Sequence, residues 1–499
     1  MRDAPGRLLA EPVGSSLEEP RAKVAATASL PAPREAIGTK IVEYGILTLL
    51  VMSPLPAASV DDGAILAIEL AAAFLAVVYA LTVRRPPLNA RMTARLIWPR
   101  RLLGALTGLL ALQVVPLPKA LVALVSPRAA AVHEQFTPGF SGAGALTLSL
   151  APFHSLRAAL EILAYVLIGF LVVRTFTHRR QILRLMIVLT AAGTFQAFYG
   201  LFELFRDHPR VLFFAKVYNL DSATGTFVNR NHFSGYLEMI LPLAVGLIIA
   251  RIDLFSLAGK RWPDKIAQVT GKGFSLNILI MIAVVVMALA MVRSRSRSGV
   301  FVLLFIFILF FELTVFHFSA KRYRQVWIKN FLKAVFVLVT IAALYAGVEV
   351  TIGRFADDHL LQNGRPHYWT SALAVFRDYP VFGTGLGTFA DVYPAYGTIP
   401  LEGRLTHAHN DYLEYLSDLG LLGFAALFGT IAFLVVDGFL TWSKRRHFQI
   451  KGLGMGGFVS IAAILVHSIT DFNLHIPANM LLFSVVLGLT YTTAYYRKA

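Results

Sequence analysis

Past its first forty residues this chain is dominated by apolar runs of roughly 17–25 residues, the length a helix needs to cross the hydrocarbon core of a bilayer. Twelve such runs fall at about 41–58, 64–83, 102–122, 156–173, 182–203, 233–250, 275–292, 299–317, 331–350, 413–438, 453–470 and 479–495. In lipid every backbone N–H and C=O must be satisfied within the segment or a closed barrel, so runs of this length imply helices. The composition agrees, with 56% hydrophobic and 15% charged residues, far from the balance of a soluble domain. The expected fold is an all-α integral membrane protein of about 12 transmembrane helices, with a long external loop carrying short helices. The third run contains Pro116 and Pro118 and is the one that chain stiffness most threatens. Residues 1–40, rich in Pro, Ala, Arg and Glu, read as a disordered cytoplasmic tail.

Orientation follows from Lys and Arg in the short loops. Arg84, Arg85, Arg91, Arg95, Arg100 and Arg101 form one basic group. Others contain Arg174, Arg179 and Arg180; Lys260, Arg261 and Lys265; Lys321, Arg322 and Arg324; and Lys444, Arg445 and Arg446. All share the parity of the N-terminus, which places both termini in the cytoplasm. The net charge of +17 is spread over these loops, as expected of loops facing anionic membrane lipids rather than of a nucleic-acid-binding domain. There is no cysteine, so no disulfide, thiol nucleophile or thiolate metal site exists.

The opposite loops, about 123–155, 204–232, 293–298, 351–412 and 471–478, collect the polar residues that loop duty does not explain. In LTHAHNDYLEYLSDLGLLG (405–423), Asp411 followed by Glu414 has capping-box spacing and reads first as helix-start chemistry. His407, His409 and Asn410 stand before that cap, and an imidazole there can exchange a proton near neutral pH. In MVRSRSRSGV (291–300), Arg293, Arg295 and Arg297 occupy a tight external turn against the positive-inside trend. Snorkelling suits one such arginine, whereas three point to an anionic phosphate ligand. GTFVNRNHFSGYLEM (225–239) sets Asn229, Arg230, Asn231 and His232 at a helix start, where a cap and an anion site are both open readings.

Further along, NGRPHYWTSALAVFRDYPVFGTGLGTF (363–389) predicts a short amphipathic helix with Trp369, Leu373 and Phe376 on one face and Ala372 nearby. It would end before Pro380, with Gly383, Gly385 and Gly387 forming a flexible turn, and Arg365 would contact phosphate or acceptor. GTGLG lacks the preceding strand and following Lys-Ser/Thr of a nucleotide loop. DFNLHIPAN (471–479) carries Asp471, Asn473 and His475 in a short turn, and a simple polar hairpin is the favoured reading over a direct role. No HExxH, DxD-type pair or dense carboxylate cluster occurs in the external loops, so no metal is expected.

SRSGVF (296–301), RPHYW (365–369), DYPVFGTGLGTF (378–389) and HAHNDYLEYLSDLGLLG (407–423) together resemble the shared core of the O-antigen ligase and Wzy polymerase superfamily. The likeness runs from about 220 to 480, and TLSLAP (147–152) is weakly similar too. It implies a GT-C-like inner-membrane glycosyltransferase with no cofactor and an active site on the periplasmic face. The division it implies is an N-terminal set of helices (41–210) and a catalytic membrane core (211–495) that includes the external loop 351–412. The donor would be an undecaprenyl-diphosphate-linked glycan. The acceptor would be a lipid-linked repeat unit or a lipid A core sugar, with a chain-length regulator as a further partner. The family's histidine falls on His409, and its two arginines on Arg297 and Arg365. Arg293, Arg295, Asn229, Arg230, Asn231, His407, Asn410 and His475 are the expected substrate-binding residues, although His407, Arg293 and Arg295 have no firm counterpart in the family pattern.

The implied reaction is a metal-independent inverting transfer in which arginines offset charge on the diphosphate and a histidine takes the acceptor proton. A surface or exopolysaccharide polymerase is slightly favoured over an O-antigen ligase. A transporter of the same lipid-linked glycan is the competitor from another class; it should show charges at mid-membrane and paired broken helices.

Overall fold

The computed structural model describes residues 33–83, 90–136, 144–251, 261, 263, 264, 274–318, 364–399 and 404–496. The chain is helical almost throughout. The first group of helices is α1 (Pro33–Met52), α2 (Asp62–Thr82), α3 (Ala90–Arg95), α4 (Ile97–Val114), α5 (Lys119–Val125), α6 (Pro127–Phe136), α7 (Pro152–Thr175) and α8 (Arg179–Leu204). There follow α9 (Arg230–Arg251), α10 (Phe274–Arg293), α11 (Arg297–Phe318), α12 (Arg365–Asp378), α13 (Phe389–Val392), α14 (Asp411–Ser443), α15 (Phe448–His467) and α16 (Pro477–Tyr495). Two short antiparallel pairings, Leu117–Pro118 with Ala145–Leu146 and Arg210–Val211 with Phe214–Ala215, tie loops together.

The protein is a multi-pass, all-α membrane protein. Among the described residues, nine helices are long and apolar enough to cross a membrane: α2, α7, α8, α9, α10, α11, α14, α15 and α16. Two further expected spans are helices, α1 and α4, that do not reach that combination of length and apolarity. Helix α4 stops at Val114, ahead of Pro116 and Pro118, and the chain restarts as α5. The expected span at 331–350 lies outside the described residues. Helix α1 starts at Pro33, inside the stretch read from composition as tail.

Helices α9, α15 and α16 are the most enclosed and form the centre of the bundle. Helix α9 meets α15 backbone to backbone: a Cβ on Gly456 would stand 2.7 Å from the Pro242 carbonyl oxygen. Small residues allow this approach, which supplies dispersion contact where lipid offers no hydrophobic drive. Ser460 Oγ adds a hydrogen bond of 2.6 Å to the Met239 carbonyl across the same seam.

Helix α14 is broken near its start by Gly420, at φ 62° and ψ −173°. The amides of Leu421 and Leu422 turn away from the helix and donate to the Pro380 and Val381 carbonyls at 2.8 and 3.3 Å. The helix carbonyls of Ser417 and Asp418 accept instead from Thr384 and Gly385 N–H at 3.1 and 3.0 Å. Thus two intrahelical bonds are exchanged for four bonds to the 380–385 segment, which locates the cause of the kink. Gln113 closes the joint, donating to the Phe382 and Asp418 carbonyls and accepting from Leu386 N–H.

The GTGLG stretch is therefore a packed interlock and not the flexible turn expected from its composition. Its glycines sit at φ +70°, +109° and +75°, and a Cβ on Gly385 would stand 2.3 Å from Ser149 Oγ. Helix α12 forms where a short helix is expected, but with a different face inward. Ser371, Ala372 and Val375 are buried, whereas Leu373 is exposed. The inward stripe follows the small residues because α12 packs closely on α14 and the 389–396 segment.

Candidate functional site

At one end of the bundle the segments preceding α9, α11 and α14 and the α15–α16 turn come together. The side chains that join them meet on Asp471, a wholly buried carboxylate in that turn. Its Oδ1 lies 3.2 Å from His409 Nδ1 and 3.7 Å from His232 Nε2. Its Oδ2 accepts from Asn231 Nδ2 at 2.5 Å and lies 3.6 Å from an Arg365 Nη atom. Burial alone would raise the Asp471 pKa, but the adjacent His232 and His409 imidazoles hold it well below the usual carboxylate range. This turn is thus more than the polar hairpin that its sequence favours.

Each of these groups is placed by a local feature. Asn229 caps α9, its Oδ1 accepting from Asn231 N–H at 2.8 Å, and this aims Asn231 and His232 inward. Asn229 therefore fills the capping role that stood open beside anion binding, and Arg230 begins the helix it caps. Gly364, at φ +45°, turns the chain into α12 so that Arg365 leads the helix. Arg297 is the first residue of α11, and the neighbouring Ser298 Oγ lies 2.8 Å from Thr470 Oγ1, one residue before Asp471. His409 sits at φ +51°, a left-handed conformation uncommon outside glycine and of the kind that clusters at functional sites. Its carbonyl accepts from Trp369 Nε1 at 3.2 Å, and its ring stacks toward Tyr368. Arg365 and His409, brought to one carboxylate, are the two residues that the resemblance singled out in this loop.

The helix start of α14 differs from expectation by one residue. Asn410, not Asp411, is the cap, accepting from Leu413 N–H at 3.1 Å. The Asp411–Glu414 pair is consequently not a capping box. Asp411 binds His475 Nδ1 at 2.7 Å and Leu474 N–H at 3.0 Å. Glu414 reaches back to His407 Nδ1 and Ala408 N–H, both at 2.7 Å, and its Oε1 lies 3.4 Å from His475 Nε2. A second histidine–carboxylate array thus stands directly behind the first. Burial opposes the charge on His475, but Glu414 and Asp411 outweigh it and push the imidazole up to about 9.

Phe472 separates and joins the two arrays. The His407 ring stacks on it at 4.1 Å between centroids, while His232 and His409 meet it edge-on at 4.5 and 4.8 Å. A cavity of about 230 Å³ opens beside this post, lined by Asn229, His232, Thr406, His407 and Phe472 together with Ala57, Ala58 and Phe227.

Arg293 and Arg295 engage a different partner, the loop after α8. Arg295 forms an ion pair with Asp221, and the Arg293 guanidinium lies over Phe205. His407, Glu414 and His475 place one ligand atom each within 4.8 Å of one another, a spacing that a metal ion could use. Glu414 and Asp411 favour the protonated form of His475, and that proton competes with a metal ion for the ring.

The sequence missed Asp471, Asp411 and Glu414 as partners of the histidines. The available signal was the count of carboxylates flanking helix starts on the histidine side, each of which has an alternative reading as a cap.

The fold and site define a polytopic membrane protein with a centre rich in imidazoles and buried carboxylates at one end of the bundle. Residues 282–428 match the model of a family described as O-Antigen ligase, whose members are glycosyltransferase-like enzymes. The matched segment contains Arg297, Arg365 and His409 and excludes Asn231, His232, Asp471 and His475. No curated protein matches the chain.

Proposed function

We propose that this protein is an inner-membrane glycosyltransferase. It moves an oligosaccharide from an undecaprenyl diphosphate carrier to a sugar hydroxyl on the periplasmic face, without a metal ion. The observation that carries this reading is the convergence of Arg365 and His409 on the buried carboxylate of Asp471.

In this reading Asp471 accepts a hydrogen bond from His409 Nδ1–H, which leaves the Nε2 lone pair to act as base. The acceptor oxygen attacks the anomeric carbon as its proton passes to Nε2. The bond from that carbon to the diphosphate oxygen breaks, and undecaprenyl diphosphate leaves with both electrons. A single displacement inverts the anomeric centre. Arg365 and Arg297 offset the charge gathering on the diphosphate, a task that a metal ion performs elsewhere. Placement at one end of the bundle supports transfer over transport, which needs groups near mid-membrane.

The acceptor we favour is a second lipid-linked repeat unit, making the protein a surface or exopolysaccharide polymerase. Ligation to a lipid A core sugar is the second reading, and the description of the matched family favours it. Purified protein supplied with a synthetic undecaprenyl-diphosphate oligosaccharide and both acceptors tests the proposal. The expected result is a ladder of lengthening lipid-linked products, unaffected by EDTA and abolished in His409→Ala. Single additions to the core glycan make the protein a ligase, and transfer surviving His409→Ala removes the proposed base.

A further inference from the structure

The end of α14 remote from the histidines holds a second built feature. At about 1.5 Å per residue, Asp437 stands roughly 40 Å along the helix from Asp411. There a groove of about 400 Å³ lies between α3 and α14, lined at its rim by Arg91, Arg95, Asp437 and Lys444. Its wall is apolar, built of Phe433, Val436 and Leu440 along the outer face of α14.

We propose that this groove holds an anionic phospholipid, its phosphate among the three cations and its acyl chains along the α14 wall. Four side chains, Arg91, Arg95, Lys444 and Asp437, fix the charge pattern. Arg91 and Arg95 are one turn apart on α3, so they share a face. Met92, buried between them, seats that helix on the bundle. Asp437 lies 3.5 Å from Arg95 Nε and accepts from Tyr491 and Tyr495 hydroxyls at 3.0 and 2.6 Å. That carboxylate is committed to α16 and Arg95, and the groove's lining sets it beside three cationic side chains, Arg91, Arg95 and Lys444.

The wall decides which kind of anion fits. Val436 and Leu440 are 57% and 55% exposed and continue the lipid-facing side of α14 down from the rim. Bilayer tails already lie along that side, so an amphiphile can rest its chains there while its headgroup reaches the rim. A zwitterionic lipid would bring its own ammonium to a cationic rim, so the pattern selects a headgroup with net negative charge. Basic pockets beside transmembrane helices recognise such headgroups, each cation contributing about fivefold in affinity. This site is independent of the transfer reaction.

Native mass spectrometry of the delipidated full-length protein, titrated with phosphatidylglycerol or phosphatidylcholine, tests the assignment. Phosphatidylglycerol is expected to be retained preferentially, about fivefold less by Lys444→Gln and about twentyfold less by the Arg91→Gln/Lys444→Gln pair. Lys444 is exposed, so its single variant keeps the test valid if the pair fails to fold. Arg179→Gln/Arg180→Gln, on the same membrane face outside the groove, is expected to retain lipid as the wild type does. Equal retention of the two lipids, an unaffected Lys444→Gln, or an equal loss in the Arg179/Arg180 control overturns the proposal. Binding of sn-glycerol 3-phosphate alone also overturns it, by showing a site for soluble phosphate.

Discussion

His409 Nδ1 lies 3.2 Å from Oδ1 of Asp471, a residue sixty-two positions further along the chain. That pairing fixes the imidazole tautomer and joins the loop before α14 to the turn before α16. Asp471→Asn keeps the shape but replaces an anionic acceptor with an amide, and the ring loses its orientation and its counter-charge. Transfer is expected to fall by about 10²–10⁴-fold, the range associated with a positioned general base. The assay is initial rate under saturating donor, with binding of donor measured separately to show that the loss lies in turnover.

Arg365→Gln is expected to lower turnover by about 10²–10³-fold, as loss of a charge-stabilising donor does. Arg295→Gln should cost far less, because its guanidinium is engaged with Asp221 in the loop after α8. A matched comparison of the two variants in one transfer assay separates these roles; equal losses would place Arg295 in the site.

His475 gives the protein a pH-dependent stability. Its imidazole is raised from 6.5 to about 9 in the folded state, so the contribution is complete below about pH 6.5 and is lost as pH rises through about 9. A shift of this size corresponds to about 3 kcal/mol. Thermal unfolding of the detergent-solubilised protein between pH 6 and 10 should show a falling midpoint. His475→Gln should be less stable at pH 6 and nearly flat across the range.

A fourth expectation concerns the joint at Gly420. A Cβ there would stand 2.4 Å from the Val381 carbonyl group, at a φ that L side chains rarely adopt. Gly420→Ala is expected to destabilise by at least about 1–3 kcal/mol. The midpoint of thermal unfolding reads this directly, with Gly429→Ala, in a roomier part of the same helix, as the control.

Chelation supplies the fifth. Protonation of His475, which Glu414 and Asp411 favour, competes with metal binding at the His407–Glu414–His475 group. EDTA should leave both transfer and the unfolding midpoint unchanged at pH 7, and an EDTA-sensitive rate restored by zinc would place a metal in the reaction.

Much of this was legible in the residues. Long apolar runs mark helices because the bilayer leaves the backbone no other partner. His409 and Arg365 stood out because polar groups beside apolar spans demand a reason, and both reach one carboxylate. Asp471 did not stand out, since an aspartate in a short turn is ordinarily satisfied by solvent or its own backbone; only folding shows it buried among His232, His409, Asn231 and Arg365. The cap of α14 was misplaced by one residue because Asn410 and Asp411 are both competent caps, and register depends on where the tertiary structure wants the carboxylate. The GTGLG segment read as flexible because glycine permits motion as readily as it permits close approach, and sequence does not distinguish the two.

The exchange of hydrogen bonds at Gly420 makes the first ten residues of α14 mechanically a part of the α12 loop, not of the rod beneath it. Energetic coupling should respect that seam. A substitution at Asp411 paired with one at Pro380 should deviate from additivity, whereas the same change paired with one near Asp437 should combine as two independent events.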